Sequence, residues 1–280
     1  MRESSSRATD PLEPSTVDCL ISGDMYRFLG LRKPLRFRRP EAVNRSTARP
    51  LKCHAPPMES HFWPLYRLRI TTPRLELRLP DPELLEELAA VAAGGVHEGG
   101  RMPFSVPWSA ASPQQRGRGT YQHLLGTIAD WRPERWTLSL AVLCEGRVVG
   151  RQDLTAKDFA VTRQASTGSW LGLPHQGRGI GTEMRAAVLH LAFQGLGAHW
   201  VTSTAMTDNP GSLGVSRKLG YAPDGLEQVA VLGRPRALQR LRLDRAGWRA
   251  HASAPVGITG LAECAPLFGL PEDDLPAEAG

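Results

Sequence analysis

The segment "HQGRGIGTEM" sets Gln176, Gly179 and Gly181 in the spacing Q-x-x-G-x-G, with Gly177, Arg178 and Ile180 between them and Thr182 next. The glycines separate a stretch of strand character, "GSWLGL", from one of helical character, "TEMRAAVLHLAF". Glycine lets a backbone approach a ligand closely and take positive φ, so successive N–H groups can wrap a pyrophosphate. A helix starting just behind such a loop adds the positive end of its dipole. Other nucleotide motifs fit less well. The G-x-G-x-x-G fingerprint matches at Gly177 and Gly179 but meets Thr182 where its third glycine belongs, and the next strand ends in Ala205-Met206 without an acid for a ribose. A Walker loop needs a lysine, which this loop lacks. Taken alone, the loop also reads as an ordinary tight turn.

The elements that must position this loop follow from periodicity. "LRLP" and the residues before it alternate apolar and polar from Leu75 to Leu79, which predicts a strand. Asp81 before Pro82 predicts a helix start, with Leu84, Leu85, Leu88, Val91 and Ala92 as its stripe and Gly94-Gly95 as its stop. Ser112-Pro113 opens a second helical region, with Tyr121, Leu124, Leu125, Ile128 and Trp131 as its apolar side. "TLSLAVLCEGRVVGRQDL" predicts a hairpin turning at Glu145-Gly146. A strand from Ser166 to Leu173 leads into the loop, and a core helix runs from Thr182 to about Gln194, with Glu183, His190 and Gln194 as its polar edge. "HWVTSTAM" is a strand, "NPGSLGVSRKLGY" a short helix stopping at Gly220, and strands follow near Glu227–Leu232 and Ala237–Leu243, with Trp248 closing the domain.

Composition narrows the function class. The chain has 280 residues and a net charge of +6. Residues 1–57 hold eleven Lys/Arg against six Asp/Glu, while the rest holds 23 against 22. The basic character thus belongs to a Ser-, Pro- and Arg-rich leader, and the folded part lacks the clustered basic face of a nucleic-acid binder. Arg outnumbers Lys 30 to 4, which fits coding bias in a GC-rich genome. Cys19, Cys53, Cys144 and Cys264 form no CxxC pair, arguing against zinc and a disulfide framework. No apolar run reaches the roughly 18 residues of a membrane span, and the first 30 residues lack the apolar stretch of a signal peptide. The expectation is a cytoplasmic protein with no metal, no nucleic-acid partner and no membrane contact.

The domain plan is a disordered leader over 1–57, a folded domain over 60–250, and a tail over 251–280 that is partly packed and frays from Glu272. The leader could touch an acidic partner, contribute nothing, or precede a true start at Met58. Deleting residues 1–57 is expected to leave melting temperature and turnover nearly unchanged. A clear fall in melting temperature on truncation would show that the leader packs on the domain.

In order along the chain, "TPRLELR", "GRVVG", "GSWLGLPHQGRGIGTEM" and "DNPGSLGVSRKLGY" resemble the GNAT superfamily of acyl-CoA N-acyltransferases. The opening strand and the Asn-x-x-Ser…Lys-Leu-Gly-Tyr ending look like the branch that acetylates ribosomal-protein N-termini. "MPFSVPW", "DFAVTRQ", "GSWLG" and "GTEMRAAVLHLAF" look closer still to an actinobacterial subgroup that includes a mycobacterial succinyltransferase. The resemblance covers about residues 60–270. It implies an α/β (α+β) fold: a mixed, mostly antiparallel sheet splayed at the glycine strand, with helices on both faces.

The resemblance also implies roles. Gln176, Gly177, Arg178, Gly179, Ile180, Gly181 and Thr182 would hold the CoA pyrophosphate. Trp170, Leu171, Gly172 and Leu173 would offer backbone groups to the pantetheine arm, with an oxyanion donor among the N–H groups near Leu171–Leu173. Asn209 would reach the CoA arm and Ser212 would lie near it, although Asn209 also suits a turn before Pro210 and Ser212 a helix N-cap. Attack of a neutral amine on a thioester needs a proton acceptor. His97, Glu98 and Asp153 are base candidates, each also readable as a solvated or structural polar residue. Glu183 is a further candidate, although its carboxylate also suits a helix start. Ser216 stands where many relatives carry a tyrosine acid, which puts the acid role in doubt. Met102, Phe104 and Trp108 would wall an acceptor pocket, or simply pack a long loop.

Acetyl-CoA is the default donor and succinyl-CoA the alternative. A succinyl carboxylate would need a cation, for which Arg101, Arg151 and Arg163 are candidates. The acceptor would be a protein N-terminus, a lysine or a small amine. A homodimer is an open expectation, and a non-catalytic acyl-CoA sensor is the rival class.

Overall fold

The computed structural model describes residues 60–252 and 255–271. The chain divides into two units, Met1–Ala48 and Arg49–Gly280, and the described residues all belong to the second. The leader over 1–57 and the acidic tail from Glu272 lie outside the described residues.

The elements in chain order are β1 (Arg69–Thr71), β2 (Leu75–Arg78), α1 (Pro82–Gly94), α2 (Pro113–Ala129), β3 (Arg135–Cys144), β4 (Arg147–Lys157), α3 (Phe159–Thr162), β5 (Gln164–Leu171), α4 (Ile180–His190), β6 (Trp200–Met206), α5 (Pro210–Lys218), β7 (Ala222–Val231), β8 (Arg234–Asp244), α6 (Arg245–His251) and β9 (Gly257–Thr259). The strands form one sheet in the order β7-β8-β6-β5-β4-β3-β2-β1-β9. Every neighbouring pair is antiparallel except β5–β6. This is the mixed α/β architecture expected above.

Helix starts follow the capping chemistry. The Asp81 carboxylate accepts from the Leu84 N–H at 2.9 Å, and Ser112 forms a capping box with Gln115. The β3–β4 turn has positive φ at both Glu145 (51°) and Gly146 (69°), which matches the right-handed twist of the strands it joins.

The sheet is covered on both faces, as the strand alternation requires. Leu138, Leu140 and Val142 of β3 pack with α4, whose Met184, Ala187 and Val188 are buried; the intervening Ala141 and Leu143 pack with Leu84, Leu85 and Leu88 of α1 and Leu124 of α2. Leu125, expected on the buried side of α2, is exposed. Gly117 and Thr120 are buried instead, because α1 and α2 pack closely: a Cβ on Gly117 would come within 3.1 Å of the Ala89 carbonyl oxygen.

Several boundaries move. Strand β5 ends at Leu171, and Leu173–His175 form a 3₁₀ turn. Helix α4 starts at Ile180 rather than Thr182 and gives way at Leu191 to a π-turn reaching Gly195. Strands β7 and β8 are longer than the apolar runs that predicted them, since most of β7 faces solvent.

The C-terminal residues add β9, which pairs Ile258 with Ile70 of β1. Beyond it, Phe268 is fully buried with its ring 4.9 Å from Trp136 and 5.6 Å from Trp131. Cys264 is buried beside it; burial pushes its thiol up to about 12, so it is a packing residue rather than a nucleophile. No helix among the described residues is long and apolar enough to cross a membrane.

Candidate active site

Strands β5 and β6 pair from Gln164–Trp200 to Thr167–Ser203 and then part. Strand β5 continues to Leu171 against β4, and β6 continues to Met206 against β8. The fork leaves two facing strand edges, which suit an extended amide-bearing ligand laid between them like an added strand. A cavity of about 970 Å³ occupies the fork. Gly177, Gly179, Gly181 and Thr182 line it, as do Phe104, Trp108, His97 and His123.

At the glycine end, Gly177 (φ 75°) and Gly179 (φ 78°) both take the left-handed conformation, and Gly179 is the N-cap of α4. None of the backbone N–H groups from Gly177 to Gly181 donates to an acceptor among the described residues. Five consecutive open donors at a helix start make an anion cradle. The Gln176 amide nitrogen donates to the carbonyls of Val96 (2.8 Å) and Leu171 (2.9 Å), anchoring the loop to the end of β5. Gln176 also lines the cavity, whereas Gly172, Leu173, Arg178 and Ile180 do not. The Arg178 carbonyl accepts from Arg74 (3.2 Å).

Glu183 turns away from the fork. Its carboxylate accepts from Thr72 (2.6 Å) and from Arg74 Nε (2.7 Å), tying α4 to the β1–β2 connection. Burial opposes its ionisation, but these hydrogen bonds and the Arg74 charge hold its pKa below the ordinary carboxylate value. It is therefore held as a structural anion, not poised as a base.

Across the fork, Asn209 caps α5 through its carbonyl oxygen, which accepts from the Ser212 N–H at 3.2 Å. The N-cap is thus Asn209, and Ser212 sits inside the first turn. Both line the cavity, and the Asn209 amide nitrogen has no acceptor among the described residues. Ser216 is different. It is fully buried, accepts from Arg185 Nη1 at 2.9 Å and donates to the Ser212 carbonyl at 3.1 Å. Its proton points at a carbonyl rather than into the cavity, so the tentative acid assignment does not fit this geometry.

The base candidates separate likewise. His97 lines the cavity, but its Nδ1 donates to the Glu98 carbonyl (2.8 Å) and its Nε2 meets Ser109 Oγ (2.8 Å). Both nitrogens are engaged. The Glu98 side chain is not part of the lining, and neither is Asp153, whose Oδ2 pairs with Arg151 Nη2 at 2.8 Å. A titratable residue not selected from sequence also lines the cavity. His123 of α2 faces the cavity, beside Arg151. Burial lowers its pKa, the Arg151 charge lowers it further, and Asp153 partly opposes this. A neutral imidazole at neutral pH can accept a proton. The available signal was the helical spacing of Gln115, Arg116, Gly119, Thr120 and His123, the face of α2 that lines the cavity.

Of the three residues expected to wall an acceptor pocket, Phe104 and Trp108 line the cavity. Phe104 lies 5.2 Å from Trp108, and Trp108 lies 5.7 Å from Trp170. Trp170 and Leu171 line the cavity as well. Met102 does not: it packs with Met206, Val231 and Leu238, which is the core-packing alternative. Among the arginines, Arg101 lines the cavity with Nη1 donating to the Asp208 carbonyl (3.2 Å). Arg151 lines it with its charge matched by Asp153. Arg163 lies outside the lining, its guanidinium over the Phe159 ring and donating to the Leu196 carbonyl.

The family model described as the acetyltransferase (GNAT) domain matches residues 74–222, the span that holds both sides of the fork. The chain belongs to the GNAT acetyltransferases. Three solved structures share the fold. Mycobacterium smegmatis RimJ in complex with a CoA disulfide has a TM-score of 0.54 at 18% identity, covering 66% of this chain and 89% of that one. A GCN5-related N-acetyltransferase from Brucella melitensis has a TM-score of 0.52 at 19% identity, covering 66% and 81%. A spermidine N-acetyltransferase chimera from Vibrio cholerae and hSSAT has a TM-score of 0.50 at 17% identity, covering 63% and 98%. This GNAT chain is accordingly an N-acyltransferase that draws on acyl-CoA.

Proposed function

We propose that this GNAT enzyme transfers an acetyl group from acetyl-CoA to a primary amine that enters from the His123 and Trp108 end. The five open N–H groups from Gly177 to Gly181 carry the reading, because they provide for a pyrophosphate beside a cavity of about 970 Å³. The pantetheine arm lies along the parted edge of β5 from Gly168 to Leu171, with the Asn209 amide reaching it from α5. Phe104, Trp108 and Trp170 enclose the thioester end, and His123 takes the proton from the amine. Acyl transfer needs no metal in this scheme.

Acetyl is favoured over succinyl because neither cavity-lining arginine selected for a free carboxylate is available to it. Arg151 is matched by Asp153, and Arg101 is exposed and turned to a carbonyl. The acceptor is a protein N-terminus, a lysine or a small amine. CoA release measured with acetyl-CoA and succinyl-CoA against a panel of amines tests the proposal, read as a ratio of kcat/KM values. The expected result is turnover that favours acetyl, with Arg151→Ala and Arg101→Ala lowering both donors alike. A succinyl preference lost selectively in either variant would overturn the acetyl assignment.

A further inference from the structure

Arg185 extends from the second turn of α4 into the floor of the fork, where it is 5% exposed. Its Nη1 donates to Ser216 Oγ of α5 at 2.9 Å and its Nη2 to Ser169 Oγ of β5 at 3.2 Å. Its Nε has no acceptor. No carboxylate among the described residues pairs with it. The one titratable group that interacts with it is Tyr221, whose hydroxyl meets Thr167 Oγ1 at 3.2 Å. The cavity lining holds four further cations, Arg101, Arg116, Lys218 of α5 and the Arg151 already matched by Asp153.

A guanidinium stays charged when buried, has five N–H donors, and is costly to leave uncompensated. Here two donors meet neutral hydroxyls, so the charge has no counterpart. Arg185 and Ser169 both line the cavity, and Ser169 belongs to the strand segment proposed above to hold the pantetheine arm. The reaction proposed for this cavity creates an anion. The amine nitrogen bonds to the carbonyl carbon, the C–S bond breaks, and its electron pair leaves on sulfur. The amine proton goes to the base, and the negative charge stays on the CoA thiolate.

We propose that Arg185 is the countercharge for the CoA thiolate, holding the leaving group as an anion through its unused N–H donors. Ser216 and Ser169 then act as positioning residues for the guanidinium. This rests on the acyl-CoA reading of the cavity. Stabilisation of this kind favours the transition state, because the thioester sulfur is neutral before the reaction and charged after it.

The thiolate absorbs in the ultraviolet, so the bound thiol can be titrated directly on the full chain, with desulfo-CoA as the blank. In the wild type, bound CoA should ionise at least about one pH unit below free CoA, equal to about 1.4 kcal/mol of preference for the thiolate. Arg185→Met should return the ionisation to the free value or above, and Arg185→Lys should retain part of the shift. Affinity for CoA relative to desulfo-CoA should rise with pH in the wild type and stay flat in Arg185→Met. A wild-type bound thiol at or above the free value overturns the proposal, as does an equal shift in Arg185→Met. If the Met variant fails to fold, the wild-type titration and the Lys variant decide. An unshifted thiol combined with selective loss of succinyl-CoA binding in Arg185→Met would make Arg185 a carboxylate reader instead. CoA that fails to bind at all would sink the acyl-CoA reading itself, a result distinct from CoA that binds with an unshifted thiol.

Discussion

Gly179→Glu will lose CoA binding by at least about tenfold, or 1.4 kcal/mol in binding free energy, while the protein stays folded. Two effects act together. Gly179 sits at φ 78°, where an L-residue costs roughly 1–2 kcal/mol. The added carboxylate also places negative charge among the five open N–H groups that would receive the pyrophosphate. The space itself is open: the nearest heavy atom to a Cβ there is Arg74 Nη2 at 3.4 Å, the end of a flexible side chain. The substitution therefore acts on the cradle and its charge rather than on packing. Calorimetry with CoA beside a thermal melt separates the two. Unchanged CoA affinity in a folded variant would remove the phosphate cradle from the mechanism.

His123→Ala will lower kcat by roughly a hundredfold or more, in the range of a lost general base, and will change the pH profile. In the wild type, His123 is neutral above a pKa that burial and Arg151 hold below the ordinary histidine value. The base is thus available at neutral pH, and activity falls only as acid protonates the imidazole. The sign follows from the role: a base works deprotonated, so the rate rises with pH through the His123 pKa and then levels. In His123→Ala this acid limb should disappear from kcat. A variant within about threefold of wild type, with the acid limb intact, would exclude His123 and point to a water chain.

Much of the framework could be read from residues that act locally. Asp81, Ser112 and the Glu145-Gly146 turn each announce an element boundary through a hydrogen bond or a φ value, and the structure follows them. The conformation of the glycine loop is legible for the same reason, since its positive φ values and open N–H groups belong to neighbouring backbone. Residues whose meaning depends on distant partners were not. Arg185 lies among the buried apolar residues of α4, and its hydroxyl partners come from β5 and α5. Asp153, a base candidate by residue type alone, is paired with Arg151 of the same strand. His123 does not belong to the stripe by which α2 packs; it lies on the face that lines the cavity. Leu125 shows the converse: periodicity marked it as core, but the close α1–α2 contact is made by Gly117 and Thr120.

The pairing of Ile70 with Ile258 joins the first strand of the sheet to its last. On the ribosome, β1 leaves the exit tunnel long before its outer neighbour has been synthesised. Until β9 arrives, that edge offers unpaired backbone groups to any other chain. Phe268, which completes the cluster around Trp131 and Trp136, comes later still. Closure of this end of the molecule therefore waits on contacts of high sequence separation, the slowest kind to form. A nascent or prematurely terminated chain can assemble the fork and its glycine loop while its other edge remains open and prone to aggregation.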